Sequence, residues 1–307
     1  MMKKPNLYVI GGMKCGSTAM CSYLAEHPDV YFSPLKEPKF FLLKDGGLNF
    51  KMTENKRSGF LHRSRWTLEG YEALFEGANE ETVVAEGSAG YICAPNVAQE
   101  IYQYNPGAKI IAVLRNPIER AYSHFLFQLQ VGYETEKDFG KALALESQRI
   151  QEGYWHSYYY KTVGLYYQQL KAYFDIFPRE QIWVCLQEDL KVNTVDVMRN
   201  VYTFLGIDPG FKPDVGKRHN VTVKNAANQV NPLDRIKSLL GVFGPLKSAM
   251  KSIPAIKGLY DNFYQFPPLK QSIVHELRDY YAEDVYDLSR LLNRDLSYWL
   301  EEDVQSR

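Results

Sequence analysis

The feature that most constrains this chain is a glycine-rich segment close to its first residue. Residues 7–10 form a short apolar run that stops at Gly11, and residues 18–26 have the pattern of a helix. Small residues between a strand and a helix let backbone N–H groups approach an anion, and the helix dipole favours negative charge there. We therefore expect the loop at residues 11–18 to hold a phosphorylated nucleotide.

Further apolar runs alternate with helical patterns along the chain. Residues 108–114 resemble a buried parallel strand, and Pro117 suits the first position of a helix that reaches about Val131. This alternation predicts an α/β fold, a P-loop-like open parallel sheet flanked by helices, with a C-terminal helical extension. The remaining predictions are strands at 82–85 and 182–186, helices at 164–177, 194–205, 232–256 and 269–293, and loops at 44–70 and 208–235.

The last predicted helix carries an apolar stripe at helical spacing. We divide the chain into an α/β domain at residues 1–225, which contains the nucleotide site, and an extension at 226–307 that packs on the same domain. The stripe that would face this domain comprises Ile273, Leu277, Tyr280, Tyr281, Val285 and Leu288.

Composition excludes several classes of function. The 36 basic and 36 acidic residues cancel, so the overall charge does not call for nucleic acid or an anionic membrane as partner. The four cysteines are scattered, without the spacing of a disulfide framework or a zinc site. The apolar run at residues 7–10 is too short for a signal peptide or a membrane span. We expect a cytoplasmic protein.

The loop differs from that of an ordinary nucleoside triphosphatase. Gly11, Gly16 and Thr18 imitate the Walker A spacing, but Ser17 stands where the lysine belongs and the lysine comes earlier, as Lys14. A lysine at the crest of the loop can reach an oxygen that bridges a phosphate and another group. The nearest acidic candidates for magnesium are Glu188 and Asp189, and these could simply begin a helix.

A second anion site is predicted at the end of the 108–114 strand. Arg115 should emerge at the carboxyl edge of the sheet, where open α/β folds bind ligands, and Ser123 lies two turns into the next helix. A guanidinium and a hydroxyl can hold a phosphate dianion by charge-assisted hydrogen bonds. For Arg120 a structural role is favoured over a third ligand role, and His124 is interpreted as a packing residue.

Together these residues resemble the sulfotransferases that use 3′-phosphoadenosine 5′-phosphosulfate (PAPS), most of all the carbohydrate branch with the heparan sulfate N- and 3-O-sulfotransferases and its bacterial relatives. The resemblance covers about residues 6–225. It implies PAPS as the donor, PAP as the product and no metal. The residues that it assigns to the 5′-phosphosulfate loop are Lys14, Cys15, Gly16, Ser17 and Thr18. It assigns Arg115 and Ser123 to the 3′-phosphate. Lys217 and Arg218 correspond to a basic loop over the nucleotide.

The resemblance also implies a catalytic base. Glu37 lies in a Glu-x-x-Phe-Phe setting that matches the glutamate of the carbohydrate branch, and Lys14 would stabilise the departing phosphate oxygen. The branch has a lysine where this chain has Gly87, so either Lys36 or Lys39 could supply that charge, or the acceptor differs. The candidates for the acceptor side are Lys36, Lys39, Glu86, which is also a reserve candidate for the base, Ser88 and Tyr91.

The expected function is in-line transfer of a sulfuryl group to a hydroxyl or amine. The acceptor could be a carbohydrate or another small or lipid molecule, because the tyrosine-rich stretch at residues 154–167 would suit sugars, phenols and lipid chains alike. Two alternatives remain at this point: a P-loop kinase of nucleotides or small molecules, and a catalytically inactive nucleotide-binding protein. The oligomeric state is unknown.

Overall fold

The fold is a parallel sheet with helices packed around it, as the alternation of patterns predicted. The computed structural model describes residues 3–44, 49–52, 54–216 and 269–301. The strands are β1 (Leu7–Gly11), β2 (Val30–Phe32), β3 (Val83–Gly87), β4 (Lys109–Leu114) and β5 (Ile182–Leu186). The sequence patterns indicated four of these strands, and the three-residue edge strand β2 was missed.

Helices follow most of the strands in the described chain. They are α1 (Ser17–Leu24), α2 (Phe40–Leu43), α3 (Glu54–His62), α4 (Leu68–Glu72), α5 (Pro95–Tyr104), α6 (Pro117–Val131), α7 (Phe139–Ala144), α8 (Glu146–Gln151), α9 (Tyr166–Phe174), α10 (Gln187–Val192), α11 (Thr194–Leu205) and α12 (Gln271–Leu292). The predicted helix at 232–256 lies outside the described residues, as does most of the predicted loop at 208–235.

The order of the strands places the two predicted phosphate sites side by side. The sheet runs β2-β3-β1-β4-β5, and all pairings are parallel. The chain leaves β1 toward one edge and later returns to β4 on its other side, which makes a topological switch point between these two strands. In open α/β sheets a switch point creates a crevice at the carboxyl ends of the strands, and ligands bind in such a crevice.

The C-terminal helix α12 packs on the same core. Ile273, Leu277, Tyr281, Val285 and Leu288 are buried, whereas Tyr280, which was predicted in the same stripe, is 38% exposed. The buried residues recur every three to four positions. Tyr280 lies at the edge of this stripe, where its ring forms a cation–π pair with Lys161, whose Nζ lies 5.3 Å from the ring centroid. The division at residue 225 falls outside the described residues and stays a prediction.

The prediction of a loop throughout residues 44–70 was wrong. Helix α3 occupies its middle, and Phe60 of this helix packs on Trp155 with ring centroids 5.0 Å apart. Leu43, Phe60, Trp155 and Tyr158 form a small apolar cluster separate from the main core. The helix is stabilised by residues far away in the sequence, which is why a local pattern with few apolar positions did not reveal it.

Candidate functional site

The phosphate loop turns tightly over the end of β1. A Cβ atom at Gly11 would lie 2.2 Å from the carbonyl oxygen of Val113 in β4, and Gly11 has a φ of 144°, so only glycine fits there. Lys14 and Gly16 also have positive φ values, 73° and 100°. Gly16 begins α1 without a side-chain cap, so no capping side chain competes with an anion for the N–H groups at this helix start, of which that of Ala19 donates to the carbonyl oxygen of Gly16.

Lys14 is a partly buried cation at the crest of this loop. Its ammonium nitrogen lies 4.4 Å from the ring centroid of Phe127, and it has no carboxylate partner among the described residues. Burial, together with the positive charges of Arg115 and Lys36, lowers the pKa of Lys14 to about 8. A bound anion would raise this pKa again, because an opposite charge favours the protonated ammonium group.

Arg115 lies directly after β4 and reaches the same loop. Its Nη1 donates to the carbonyl oxygen of Lys14 at 3.4 Å, while Nε and Nη2 donate to Oε2 of Glu119 at 3.1 and 2.9 Å. Ser123 is half-buried two turns into α6. The two anion sites predicted from the sequence are therefore neighbours. In this structure Glu119 accepts the hydrogen bonds of the Arg115 guanidinium.

The candidate base lies on the opposite side of the crevice, after β2. Glu37 has a φ of 58°, and its N–H donates to the carbonyl oxygen of Gly87 at the end of β3 at 2.9 Å. Its side chain is 35% exposed, and Oε2 lies 3.1 Å from Nζ of Lys39. Burial opposes ionisation, but the charges of Lys39 and Lys36 outweigh it and lower the pKa of Glu37. An ionised, reachable carboxylate results.

The two lysines beside Glu37 point to different partners. Nζ of Lys36 donates to Oγ1 of Thr18 in the first turn of α1. Nζ of Lys39 stays with Glu37, where it also donates to the main-chain oxygen at 3.0 Å. The segment that carries the candidate base is thereby tied to the phosphate loop through Lys36.

Comparisons with known proteins identify the family of this chain. The profile of a family described as Sulfotransferase domain matches residues 92–227. A solved sulfotransferase from Alicyclobacillus acidocaldarius is 30% identical, with a TM-score of 0.74 over 97% of this chain and 100% of that one. The chain belongs to the sulfotransferase family.

Curated relatives of the family are similar over part of their length. Carbohydrate sulfotransferase 15 of Rattus norvegicus is 26% identical over 81% of this chain and 53% of that protein. The bifunctional heparan sulfate N-deacetylase/N-sulfotransferase 1 of Caenorhabditis briggsae is 36% identical over 42% of this chain and 14% of that protein. The chain thus spans about half the length of the first of these relatives and far less of the second.

The position at which the carbohydrate branch of the family has a lysine is closed to any side chain here. A Cβ atom at Gly87 would lie 2.5 Å from Sγ of Cys21 and 3.3 Å from the ring of Phe32. Between the two lysines that the sequence left as substitutes, Lys36 is the one that contacts the phosphate loop. The structure thus offers a physical reason to prefer Lys36 over Lys39 for this charge.

Glu86, Ser88 and Tyr91, which the sequence made candidates for the acceptor side, lie in the protein interior. Oε1 of Glu86 accepts from the hydroxyl of Tyr71 at 3.2 Å, and Oε2 accepts from that of Ser88 at 2.8 Å. Burial raises the pKa of Glu86 to about 7 despite these hydrogen bonds. Because Oγ of Ser88 accepts from the N–H of Lys39 at 3.2 Å, the network supports the backbone beside Glu37.

Two residues near the site had not been singled out from the sequence. His156 lies in the tyrosine-rich stretch, and burial together with the charge of Lys39 lowers its pKa to about 3. Gln187 follows β5, and its Nε2 lies 3.5 Å from the carbonyl oxygen of Lys14. Gln187 could have been identified from its position directly after a predicted strand. No sequence pattern indicates that His156 lies close to Lys39.

Other residues considered from the sequence make structural contacts or lie outside the described residues. Glu188, considered for magnesium, lies in α10 and accepts from the hydroxyl of Tyr298 and the indole N–H of Trp299, at 2.7 and 2.8 Å. His124 is a packing residue, as expected, with its Nε2 at 2.8 Å from the carbonyl oxygen of Ser157. Lys217 and Arg218 lie outside the described residues.

The described residues contain no group of three or more His, Cys, Asp or Glu side chains placed to hold a metal ion. None of the helices in the described part of the chain has the length and apolar character needed to cross a membrane.

Proposed function

We propose that this chain transfers a sulfuryl group from PAPS to a hydroxyl or amine of a carbohydrate or other small or lipid acceptor. The observation that carries the proposal is the contact between Lys36 and Thr18, which joins the segment of Glu37 to the phosphate loop. The names of the curated relatives favour a carbohydrate among these acceptors.

The loop residues fit the 5′ end of such a donor. Lys14 and the uncapped first turn of α1 offer positive charge and N–H groups, and side chains larger than hydrogen are excluded at Gly11 and Gly12 by close neighbours. Arg115 and Ser123 would hold the 3′-phosphate, with Glu119 giving up its hydrogen bonds to Arg115.

The proposed reaction is a direct displacement at sulfur. The acceptor oxygen or nitrogen forms a bond to sulfur while the bond between sulfur and the bridging phosphate oxygen breaks. Glu37 takes the proton of the acceptor, and Lys14 stabilises the charge that develops on the departing oxygen. We assign to Lys36 the charge that the carbohydrate branch obtains from its lysine at the position of Gly87.

The proposal is tested first by calorimetric titration with PAP and with ATP, each with and without magnesium. We expect PAP to bind without magnesium and more tightly than ATP. Tighter binding of ATP than of PAP, with magnesium required, would indicate a P-loop kinase instead.

Transfer of labelled sulfate from PAPS is then measured against a panel of sugars, phenols and lipids. We expect transfer by the unmodified protein and strong loss in Lys14→Ala and in Glu37→Gln. Full activity of Lys14→Ala contradicts the mechanism. Binding of PAP without transfer to any acceptor would indicate a nucleotide-binding protein without catalytic activity.

A further inference from the structure

A buried arginine lies directly under the phosphate loop. Arg120, in the second turn of α6, is 0% exposed. A Cβ atom at Gly12 would meet Cδ of Arg120 at 3.0 Å and Sγ of Cys15 at 2.8 Å. The arginine stem therefore packs against the underside of the loop, on the face opposite to the solvent.

The guanidinium of Arg120 lacks the partners that a buried charge normally has. Nη2 donates to the carbonyl oxygen of Tyr160, whereas Nε and Nη1 have no hydrogen-bond partner in the described part of the chain. No described carboxylate forms an ion pair with it. Its electrostatic neighbours are the neutral side chains of Tyr166, Tyr281, Cys15 and Cys93.

The partly buried Arg149 shows how a charge is normally compensated within the same chain. Arg149 forms two hydrogen bonds with Glu134, at 2.7 and 2.9 Å, and Glu134 in turn accepts from the hydroxyl of Tyr160. Burial of a charge costs free energy unless it is paired, and Arg149 has this compensation. Among the described residues Arg120 has only the carbonyl oxygen of Tyr160 as acceptor and no carboxylate, so its charge lacks this compensation until an anion approaches the loop.

We propose that Arg120 is a positioning residue that supplies positive potential to the phosphate loop from below, and that the 5′-phosphate group of the donor is its electrostatic partner. It touches neither donor nor acceptor, because its side chain is fully buried. A charge in an interior of low polarity acts over such a distance with little screening. The inference rests on the proposed function, since it assumes an adenosine phosphate in the loop.

The experiment compares Arg120→Met, Arg120→Lys and the control Arg149→Met in the full chain. Dissociation constants are measured by calorimetry for PAP and for adenosine 3′-phosphate, which lacks the 5′-phosphate, and thermal unfolding is followed without ligand. In Arg120→Met we expect PAP to bind on the order of tenfold more weakly, with a much smaller change for adenosine 3′-phosphate. Arg120→Lys should bind PAP within about threefold of the unmodified protein, because it keeps the charge.

The unfolding temperature without ligand distinguishes the proposed role of Arg120 from a merely structural one. Arg120→Met removes an unpaired buried charge, and the carbonyl oxygen of Tyr160 keeps the hydroxyl of Tyr281 as a donor at 3.4 Å. We therefore expect its unfolding temperature without ligand to be unchanged or higher. Arg149→Met leaves Glu134 buried without its partner, so it should unfold at a lower temperature and bind PAP normally if folded.

The outcomes separate the inference from the proposed function. Normal PAP binding by Arg120→Met overturns the inference alone, as does an equal loss of PAP and adenosine 3′-phosphate binding. If Arg120→Met does not fold, Arg120→Lys decides, because loss of PAP binding in a folded variant that keeps the charge contradicts an electrostatic role and retention supports it. Absence of PAP binding by the unmodified protein overturns both proposals.

Discussion

The two sides of the crevice differ in whether their charged side chains have partners within the protein. On the phosphate side, Lys14 and Arg120 are cations without a carboxylate partner among the described residues, and Arg115 holds only the half-exposed Glu119. On the acceptor side, the carboxylate of Glu37 is paired with Lys39, and the buried carboxyl group of Glu86 accepts from the hydroxyls of Tyr71 and Ser88. The cations of the phosphate side are thus available to an anion, whereas the carboxyl groups of the acceptor side have partners within the protein.

This difference has a physical basis in the chemistry that we propose. Unpaired cations raise the free energy of the empty site, and an arriving phosphate recovers that free energy as affinity. A base must instead remain ionised and oriented before the acceptor arrives, so it needs donors within the protein. The following predictions change one side at a time.

Replacing Glu37 by glutamine should have the largest effect. Glutamine keeps the size of the side chain but cannot take a proton, so kcat for sulfuryl transfer should fall about 10³-fold, within the range of general base catalysis. The dissociation constant of PAP should stay within about twofold, because the phosphate side is unchanged.

Asp175→Asn is the matched control for this variant, since Asp175 also pairs with a lysine, Lys171 at 2.6 Å, but lies at the end of α9. Its kcat should equal that of the unmodified protein. A parallel loss of PAP affinity and activity in Glu37→Gln would show that the two sides are not separable.

The pH dependence of stability tests the buried carboxyl on the acceptor side. The folded protein holds the proton of Glu86 up to about pH 7, whereas the unfolded chain releases it near pH 4.5. The native state binds more protons between these values, so the free energy of unfolding falls as pH rises through this window, by up to about 3 kcal/mol. Denaturant unfolding at several pH values measures this fall.

Glu86→Gln should remove most of that fall, because the amide does not titrate. If the variant keeps the slope of the unmodified protein, another group is responsible. Asp284, whose pKa burial raises to about 6, is the first one to examine.

The affinity for PAP tests Lys14 on the phosphate side. With a pKa of about 8, the free protein loses this charge as pH rises, and the anion binds the protonated form. Affinity should therefore fall about tenfold between pH 7 and pH 9, as calorimetry at constant ionic strength would measure. Lys14→Arg keeps its charge over this range and should show a flat profile, and an equally steep fall in this variant contradicts the assignment.

The smallest effect on PAP affinity is expected for the ion pair between Arg115 and Glu119 on the phosphate side. Glu119→Gln releases Arg115 from an i,i+4 ion pair that is worth about 0.5 kcal/mol, so PAP should bind about twofold more tightly. Asp196→Asn, which breaks the ion pair with Arg199 on α11, is the control and should leave binding unchanged. Weaker binding in Glu119→Gln would mean that Glu119 orients Arg115 for the phosphate.

Much of the fold was predictable because its signals are local. Each of β1, β3, β4 and β5 was indicated by a short apolar run, and helix α6 was indicated by Pro117 at its start. Short or weakly amphipathic elements were missed: β2 has three residues, and α3 depends on Phe60 packing against Trp155. These two elements are stabilised by distant residues, which a local pattern does not contain.

Local sequence patterns were enough to single out the chemical groups of the candidate site and the segments that carry them: Lys14 in its glycine loop, Arg115 after an apolar strand, and Glu37 in its charged turn. How these groups are paired became visible only in the folded protein. Lys36 contacts Thr18, Glu119 pairs with Arg115, and Arg120 has no carboxylate partner among the described residues. The reason is that spacing along the chain fixes which face of an element a side chain lies on, whereas its partner and its burial depend on the packing of elements far apart in the sequence.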